Sequence, residues 1–198
     1  TDGHRLAMVE RSIGPDAEGL ATGVIIPRKG LGELKRLVDE EDADEIELGF
    51  EGNSGLVRKG GVTLVMRLIE GEFPSYQQVL PRETTTRLVV SAEELMRALR
   101  RVALLSAERS RAVRMELSKG RLVVSAKNPD LGEAQEELDT DYDGKGLTIA
   151  FNATYLLDAL AVARAKEVEL GFSDELSPTQ VKPTDDADTL AVVMPMRV

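Results

Sequence analysis

The sequence of 198 residues contains no cysteine, no tryptophan and a single histidine. Without cysteine, disulfide bonds, thiol catalysis and zinc sites built on thiolates are excluded, and one histidine excludes a multi-histidine metal centre. Aromatic residues make up only 4% of the chain, which argues against a stacking platform for single-stranded nucleic acid. Apolar runs stay far below the roughly 18 residues of a membrane span, and the first residues do not resemble a signal peptide. We therefore expect a cytoplasmic protein with no membrane contact, no metal and no cofactor.

Acidic residues outnumber basic ones. Twenty-five Lys and Arg stand against 35 Asp and Glu, which gives a net charge of −10. This balance disfavours a generally basic coat for nucleic acid but leaves room for a local basic face. With 42% hydrophobic and 30% charged residues, the composition is that of a globular protein, and the length fits one large domain or two smaller ones.

A short internal repeat indicates a duplicated domain. The segment 45–50 (EIELGF) recurs as EVELGF at 167–172. A strand is predicted upstream of each copy, over Gly23–Ile26 and over Leu147–Ala150, and an amphipathic helical pattern lies between that strand and the copy. We interpret the first copy as truncated at its N-terminus, and we expect residues of a longer protein to precede Thr1.

The predicted domain boundary follows Pro81, which ends one apolar segment and precedes a polar run. It separates domains of residues 1–81 and 82–198. In the second domain, strand Leu88–Val90 leads into a helix capped by Ser91. The remaining pattern alternates a few strands with one more helix. The fold class is therefore α+β with antiparallel sheets and few helices.

The helix after Ser91 carries a basic face. Arg97, Arg100 and Arg101 lie opposite Leu95 and Leu99. One interpretation is sequence-independent contact with phosphates; the other, equally open from this segment alone, is an ordinary solvated helix face. A similar basic start opens the earlier helical pattern.

Two further patterns are weak. The only histidine, His4, follows Asp2 closely, but no nucleophile-elbow pattern is present, so a hydrolase is a disfavoured alternative. The acidic run Asp139, Asp141 and Asp143 matches half of a calcium loop, whose twelfth position falls on Ala150 instead of a glutamate. We predict an Asp143–Gly144 hairpin turn there, with a calcium sensor as the alternative.

Five motifs carry a family resemblance. They are Thr1-Asp2-Gly3-His4-Arg5-Leu6-Ala7, Pro27-Arg28-Lys29-Gly30, Phe73-Pro74-x-Tyr76, Phe151-Asn152-x-x-Tyr155-Leu156 and Val193-Met194-Pro195-Met196-Arg197. In this order and spacing the chain resembles the bacterial DNA polymerase III beta subunit, the replicative sliding clamp. The resemblance runs the whole length of the chain, which would hold most of the middle clamp domain and all of the C-terminal one.

The resemblance implies the DNA-clamp (processivity) fold, with antiparallel sheets outside and helices lining the inner face. It implies a head-to-tail homodimeric ring around double-stranded DNA, without catalysis. Because the family's first domain is needed for each ring contact, we expect this chain alone not to close a ring. DNA polymerase, the clamp loader and repair proteins are the implied partners, bound through short linear motifs in a groove between the middle and last domains.

The implied groove has an apolar pocket and a hydrogen-bonding rim. By matching motif, its lining comprises Thr1, Gly3, His4, Arg5, Leu6, Pro74, Gln78, Val79, Asn152, Tyr155, Val192, Val193, Met194, Pro195, Met196 and Arg197. The pocket is assigned to Leu6, Pro74, Val79, Val192 and Met194, and the rim to Arg5, Asn152 and Arg197. The DNA contacts carried over are Arg28 and Lys29, while Arg97, Arg100 and Arg101 are inferred from charge. Gln78, where some members carry Arg, and Ser110, where some carry an aromatic residue, depart from the family pattern.

Overall fold

A computed structural model describes residues 1–12, 23–39, 45–81, 83–106 and 111–197. The elements in chain order are β1 (Arg5–Val9), α1 (Arg28–Asp39), β2 (Glu47–Glu51), β3 (Ser54–Lys59), β4 (Val62–Arg67), a short 3-10 helix (Tyr76–Gln78), β5 (Thr86–Ser91), α2 (Ala92–Ala103), β6 (Ala112–Ser118), β7 (Arg121–Asn128), β8 (Gly132–Asp139), β9 (Leu147–Asn152), α3 (Ala153–Ala163), β10 (Glu167–Phe172), β11 (Thr179–Pro183) and β12 (Thr189–Val193).

The chain folds into two compact units. The large unit combines Thr1–Arg11 with Tyr76–Val198, and the small unit is Ser12–Ser75. The N-terminal strand therefore belongs spatially with the C-terminal part of the chain. This division into compact units does not test the predicted domain boundary after residue 81, which stays a prediction.

The large unit is built from one motif used twice. Strand, helix and three strands run as β5-α2-β6-β7-β8 and again as β9-α3-β10-β11-β12. Each half gives its first strand to the other half's sheet, because the sheet orders are β8-β7-β6-β9 and β1-β12-β11-β10-β5. All pairings are antiparallel. The predicted α+β class is confirmed.

Helix α2 forms where the sequence predicts it. The Ser91 side chain accepts a hydrogen bond from the Glu94 amide at 3.3 Å, which satisfies a free donor of the first turn. Leu95, Leu99 and Val102 are buried at helical spacing. Helix α3 begins in the same way, with Asn152 accepting from the Thr154 amide at 2.9 Å.

Both sheets and both helices share one apolar core. Its largest fully buried side chains include Phe151 on β9, an edge strand of one sheet, and Phe172 on β10, an inner strand of the other, together with Leu99, Leu156 and Leu170. The exchange of β5 and β9 thus makes the two sheets depend on a single interior.

The small unit packs α1 against the sheet β2-β3-β4. Its buried cluster contains Leu37, Val57 and Met66. Lys59 is also buried, and its Nζ donates to the Leu37 carbonyl at 2.7 Å, which satisfies a free acceptor near the end of α1. A side chain at Gly30 would meet Met66 Sδ at 2.9 Å, so this position favours glycine.

The predicted order of a helix and then a strand at each copy of the hexapeptide is confirmed. Strand β10 carries the whole second hexapeptide and β2 carries the last four residues of the first, each strand follows a helix, and each is followed by two further strands. The prediction of a strand over Gly23–Ile26 was wrong. In the part of the chain that the structure describes, these residues form no ladder, although Ile69 donates its amide to the Ile25 carbonyl at 2.9 Å.

The predicted Asp143–Gly144 hairpin was also wrong. Strands β8 and β9 lie at opposite edges of their sheet, so the segment between them crosses the sheet end instead of reversing into an adjacent strand. The Tyr142 hydroxyl donates to the Lys145 carbonyl at 2.7 Å.

In the described part of the chain, no helix is long and apolar enough to cross a membrane.

Truncating the core should destabilise the large unit. Leu99 is fully buried, so Leu99→Ala should lower the free energy of unfolding by about 2–5 kcal/mol through lost burial and a cavity. Denaturant unfolding followed by circular dichroism measures this. Leu176, which is 60% exposed, provides the matched control, since Leu176→Ala should change stability by less than about 0.5 kcal/mol. Equal effects of both changes would contradict the core assignment.

Candidate functional site

The two ends of the chain meet in one sheet. Strand β1 pairs antiparallel with β12, with Leu6 opposite Val192 and Met8 opposite Leu190. Beyond the ladder, the Met194 amide donates to the His4 carbonyl at 2.9 Å. The expectation that the opening segment and the final strand lie together is therefore met.

This pairing creates a second apolar cluster, here called the end cluster. Leu6, Leu190 and Val192 are its buried members, and Met8, Tyr76 and Leu80 pack against them. Leu6 and Val192 were predicted to line a pocket, whereas the other four residues were not. The alternation of apolar side chains along β1 and β12 is the signal that could have found Met8 and Leu190.

The other predicted apolar residues take different positions. Val193 is fully buried and belongs to the main core, on the opposite side of β12 from Val192. Val79 is 45% exposed beside the end cluster's segment 76–80, and Gln78 is exposed. Pro74 is exposed and belongs to the small unit.

An aromatic ring of α3 lies against the start of β1. The rings of His4 and Tyr155 are stacked, with centroids 6.2 Å apart and planes at 17°. The Arg5 guanidinium carbon lies 4.5 Å from the Tyr155 ring centre, within the range of a cation–π interaction. One predicted rim residue, Arg5, and the only histidine therefore meet on one ring.

The turn before β1 is held by Asp2, a residue that sequence reasoning did not place in the site. Its carboxylate accepts from the amides of His4 at 3.0 Å and Arg5 at 3.1 Å, and from Arg5 Nε at 3.1 Å. Thr1 Oγ1 donates to the Arg5 carbonyl at 2.9 Å. Gly3 adopts a φ of 84°, which suits glycine. Asp2 thus serves the backbone turn and Arg5, and does not form the carboxylate–imidazole pair that a hydrolase would need.

A second carboxylate reaches Arg5 from α3. Asp158 accepts a hydrogen bond from the Arg5 guanidinium and forms an ion pair with it. Burial opposes the charge on Arg5, but hydrogen bonds to Asp158 and Asp2 raise its pKa further. Partial burial likewise opposes ionisation of Asp2, yet the hydrogen bonds from His4 and Arg5 hold its pKa below the ordinary value.

The C-terminal tail crosses to the other sheet. Met196 donates its amide to the Ala150 carbonyl at 2.7 Å and forms an isolated bridge with that residue of β9. Met194, Pro195 and Met196 are half-buried and Arg197 is exposed. The tail therefore continues from the end cluster to the beginning of α3, where Asn152 and Tyr155 lie.

The three arginines of α2 have different surroundings. All are exposed, but Arg97 pairs with Glu93 one turn earlier. Arg101 donates to both oxygens of Glu136, at 2.6 and 2.8 Å, and this hydrogen bonding lowers the pKa of Glu136. Among the described residues, no ion pair engages Arg100, which is therefore the member of the trio best placed for a phosphate.

A further arginine joins this face. A groove between α2 and α3 is lined by the apolar side chains of Met96 and Leu160 and by Arg97, Arg100 and Arg164. Arg164 ends α3 with a φ of 48°. Sequence reasoning missed it because α2, its neighbour in the groove, lies some 60 residues earlier in the chain. No local pattern of side chains links the two helices.

Arg28 and Lys29 are the first two residues of α1 and both are exposed. Cations at a helix N-terminus oppose the helix dipole, so helix stability does not explain their position. A phosphate placed there would meet both the dipole and two positive side chains.

In the described ranges, no group of three or more His, Asp and Glu side chains is placed to hold a metal ion. Ser110 lies outside the described residues.

Comparison with known proteins gives the same family for both parts of the chain. Residues 77–197 match the family described as DNA polymerase III beta subunit, C-terminal domain, and residues 1–75 match its central domain. The beta sliding clamp of Proteus mirabilis is 39% identical over 198 residues, and that of Pseudomonas aeruginosa is 40% identical over 200. Each alignment covers 100% of this chain and 53% of the relative, so the chain spans about half the length of these relatives.

Solved structures agree. The sliding clamp of Bartonella birtlesii bound to griselimycin matches with a TM-score of 0.93 at 35% identity, covering 100% of this chain and 53% of that one. The Pseudomonas aeruginosa clamp bound to griselimycin matches with a TM-score of 0.90 at 40% identity and the same coverage.

Acid should loosen the turn before β1. Because the folded-state pKa of Asp2 is below its ordinary value of 3.8, its contribution to stability is fully present above about pH 4 and is lost as the pH falls through the lowered pKa. A carbon-13 NMR titration of the Asp2 carboxyl should give a midpoint below 3.8. Arg5→Ala should raise that midpoint, whereas Arg11→Ala, at the far end of β1, should leave it unchanged. A midpoint at or above 3.8 in the unaltered chain would contradict the network.

Proposed function

The chain belongs to the bacterial DNA polymerase III beta subunit family, and from that membership we propose that it forms part of a DNA sliding clamp. Such a clamp encircles duplex DNA as a ring and tethers DNA polymerase and other replication and repair proteins, which confers processivity. It is a non-catalytic subunit acting in the bacterial cytoplasm, on the DNA of the nucleoid. The pairing of β1 with β12 beside Tyr155 is the observation that carries the partner-binding part of this proposal.

The proposed partner site joins the end cluster to the rim on α3. Leu6 and Val192 form an apolar floor, and the half-buried Met194 is the adaptable side chain beside it. Such a surface suits the hydrophobic anchor of a short linear motif. Polymerases, the clamp loader and repair proteins are the partners expected to carry such motifs.

The rim supplies hydrogen bonds to the partner's backbone. Arg5 and Arg197 present guanidinium donors. Asn152 uses its side-chain oxygen to cap α3, which leaves its amide nitrogen free to donate outward. Gln78 is exposed where some family members carry Arg, so we propose that it changes partner preference and leaves the apolar floor intact.

The proposed DNA contact is the helix face of the large unit. The protein has a net charge of −10, yet Arg97, Arg100 and Arg164 line one groove between α2 and α3. Flexible cations of this kind contact phosphates without reading bases. A ring that slides needs weak, interchangeable contacts, and Arg28 and Lys29 on α1 would add to them.

Ring closure requires a further contact by the large unit. Within the described residues, β8 pairs only with β7 and ends its sheet. An open edge strand can accept a strand from another chain. Leu104, 79% exposed, is an apolar residue at the end of α2, the helix that packs against β8. We propose that a head-to-tail homodimer of the full-length protein uses this edge.

Griselimycin, the compound bound in two related clamps, should bind the proposed partner site. Leu6→Ala combined with Met194→Ala should weaken its binding by about 2–4 kcal/mol, or roughly 30- to 1,000-fold in Kd, because both changes remove apolar contact at the centre of the surface. Isothermal titration calorimetry measures this loss.

Two controls accompany that experiment. Leu176→Ala truncates an exposed leucine outside the site and should leave Kd unchanged. Met194→Ala alone removes a side chain that is only half-buried, so its effect does not depend on the packing of β1. Unchanged binding in the double variant would remove the site assignment.

Removing two arginines from the helix face should weaken DNA binding without regard to sequence. For Arg100→Ala with Arg164→Ala, the slope of log K against log salt for a short duplex should become shallower by about 1.8, corresponding to two lost phosphate contacts. Fluorescence anisotropy measures this slope. Arg87→Ala with Arg114→Ala removes the same charge from exposed positions that alternate with buried residues of β5 and β6. That pair should leave the slope unchanged, and equal effects would refute the DNA face.

A further inference from the structure

The Arg5 guanidinium is held at two of its edges by carboxylates from different elements. Arg5 Nε donates to Asp2 at 3.1 Å, within the turn before β1, and a terminal nitrogen donates to Asp158 on α3. Asp158 follows Tyr155 by three residues, so the ring and the carboxylate share one face of α3. A single helical turn therefore carries both the ring on which Arg5 rests and the group that orients it.

Stability alone is a weak explanation for the second carboxylate. The side chain of Asp158 is 56% exposed and that of Arg5 is 33% exposed, and an exposed ion pair contributes little to the stability of a fold. Asp2 already neutralises Arg5, so Asp158 leaves the trio with a net charge of −1. What Asp158 adds is a fixed direction for a long, flexible side chain.

We propose that Asp158 is a positioning residue of the partner site, which holds Arg5 over Tyr155 so that the rim is ordered before a partner arrives. This inference rests on the proposed function. A partner that meets an ordered Arg5 does not have to restrict its rotamers on binding, and prior ordering of this kind raises affinity. Asp158 itself acts through Arg5 and does not touch the partner.

The molecule offers a matched control at the other end of the same strand. Arg11 pairs with Asp186 in the segment between β11 and β12, beyond the end of β1. Both pairs join the N-terminal segment to a later element, and both acids carry one charge. Asp158→Asn and Asp186→Asn therefore make the same chemical change at two places.

The first measurement needs no partner. His4 is the only histidine, so its ring protons give a single set of NMR signals, shifted by the stacked Tyr155 ring. Asp158→Asn should move these signals, Asp158→Glu should restore them at least in part, and Asp186→Asn should leave them in place. Unmoved signals in Asp158→Asn would overturn the positioning role whatever the function of the protein.

The second measurement uses griselimycin as the probe. Asp158→Asn should weaken its binding by about three- to tenfold, the range expected when an oriented cation–π contact is lost. Asp158→Glu should recover at least half of that loss, and Asp186→Asn should bind as the unaltered chain does. The thermal midpoint of Asp158→Asn should move by no more than about 4 °C, which limits a purely structural effect.

The outcomes separate the two proposals. If griselimycin binds the unaltered chain and Asp158→Asn equally well, the positioning role fails and the partner site stands. If griselimycin does not bind the unaltered chain, the proposed partner site fails, and the role of Asp158 in that site fails with it. Weaker binding with unmoved His4 signals would refute positioning through Arg5.

Discussion

The site depends on the backbone pairing between β1 and β12. This ladder joins residues that are 180 to 188 positions apart in the chain, from Arg5 opposite Val193 to Val9 opposite Thr189. It covers the edge of β12, which would otherwise present unpaired backbone groups to solvent. It also sets Leu6 against Val192, and so decides which side chains form the end cluster. The positions of His4 and Arg5 on Tyr155 follow from the same register.

Because one motif is used twice, the large unit carries its candidate surfaces on different elements. Exchange of β5 and β9 ties both sheets to one core, so the helices α2 and α3 become neighbours with a groove between them. Arginines collect at that groove, while the free edge at β8 and the end cluster lie on other elements. A protein of net charge −10 can thereby keep a local positive surface, because most of its acidic residues lie on other elements.

The arginines of this helix face differ in the carboxylates that they contact. Arg101 is held by both oxygens of Glu136 and Arg97 by Glu93, whereas Arg100 has no ion pair among the described residues. Near Tyr155 the arrangement is reversed, because the two carboxylates of Asp2 and Asp158 pair with the single arginine Arg5. Under the proposed function, Arg100 stays available for DNA phosphates, whereas Arg5 is held in place for a protein partner.

Local features of the sequence were sufficient for helix α2 and for several of the strands, although they predicted a strand over Gly23–Ile26 and a hairpin at Asp143–Gly144 that do not form. The Ser91 cap and the spacing of Leu95 and Leu99 predict α2, because helix caps and apolar periodicity act within a few residues. The family motifs likewise predict which residues gather around β1 and the C-terminal tail. The tertiary structure alone decided the rest: that Val193 faces the main core, that β8 and β9 lie at opposite edges, and that Asp158 reaches Arg5. These facts depend on strand order and on hydrogen bonds between distant segments, which no local pattern of side chains encodes.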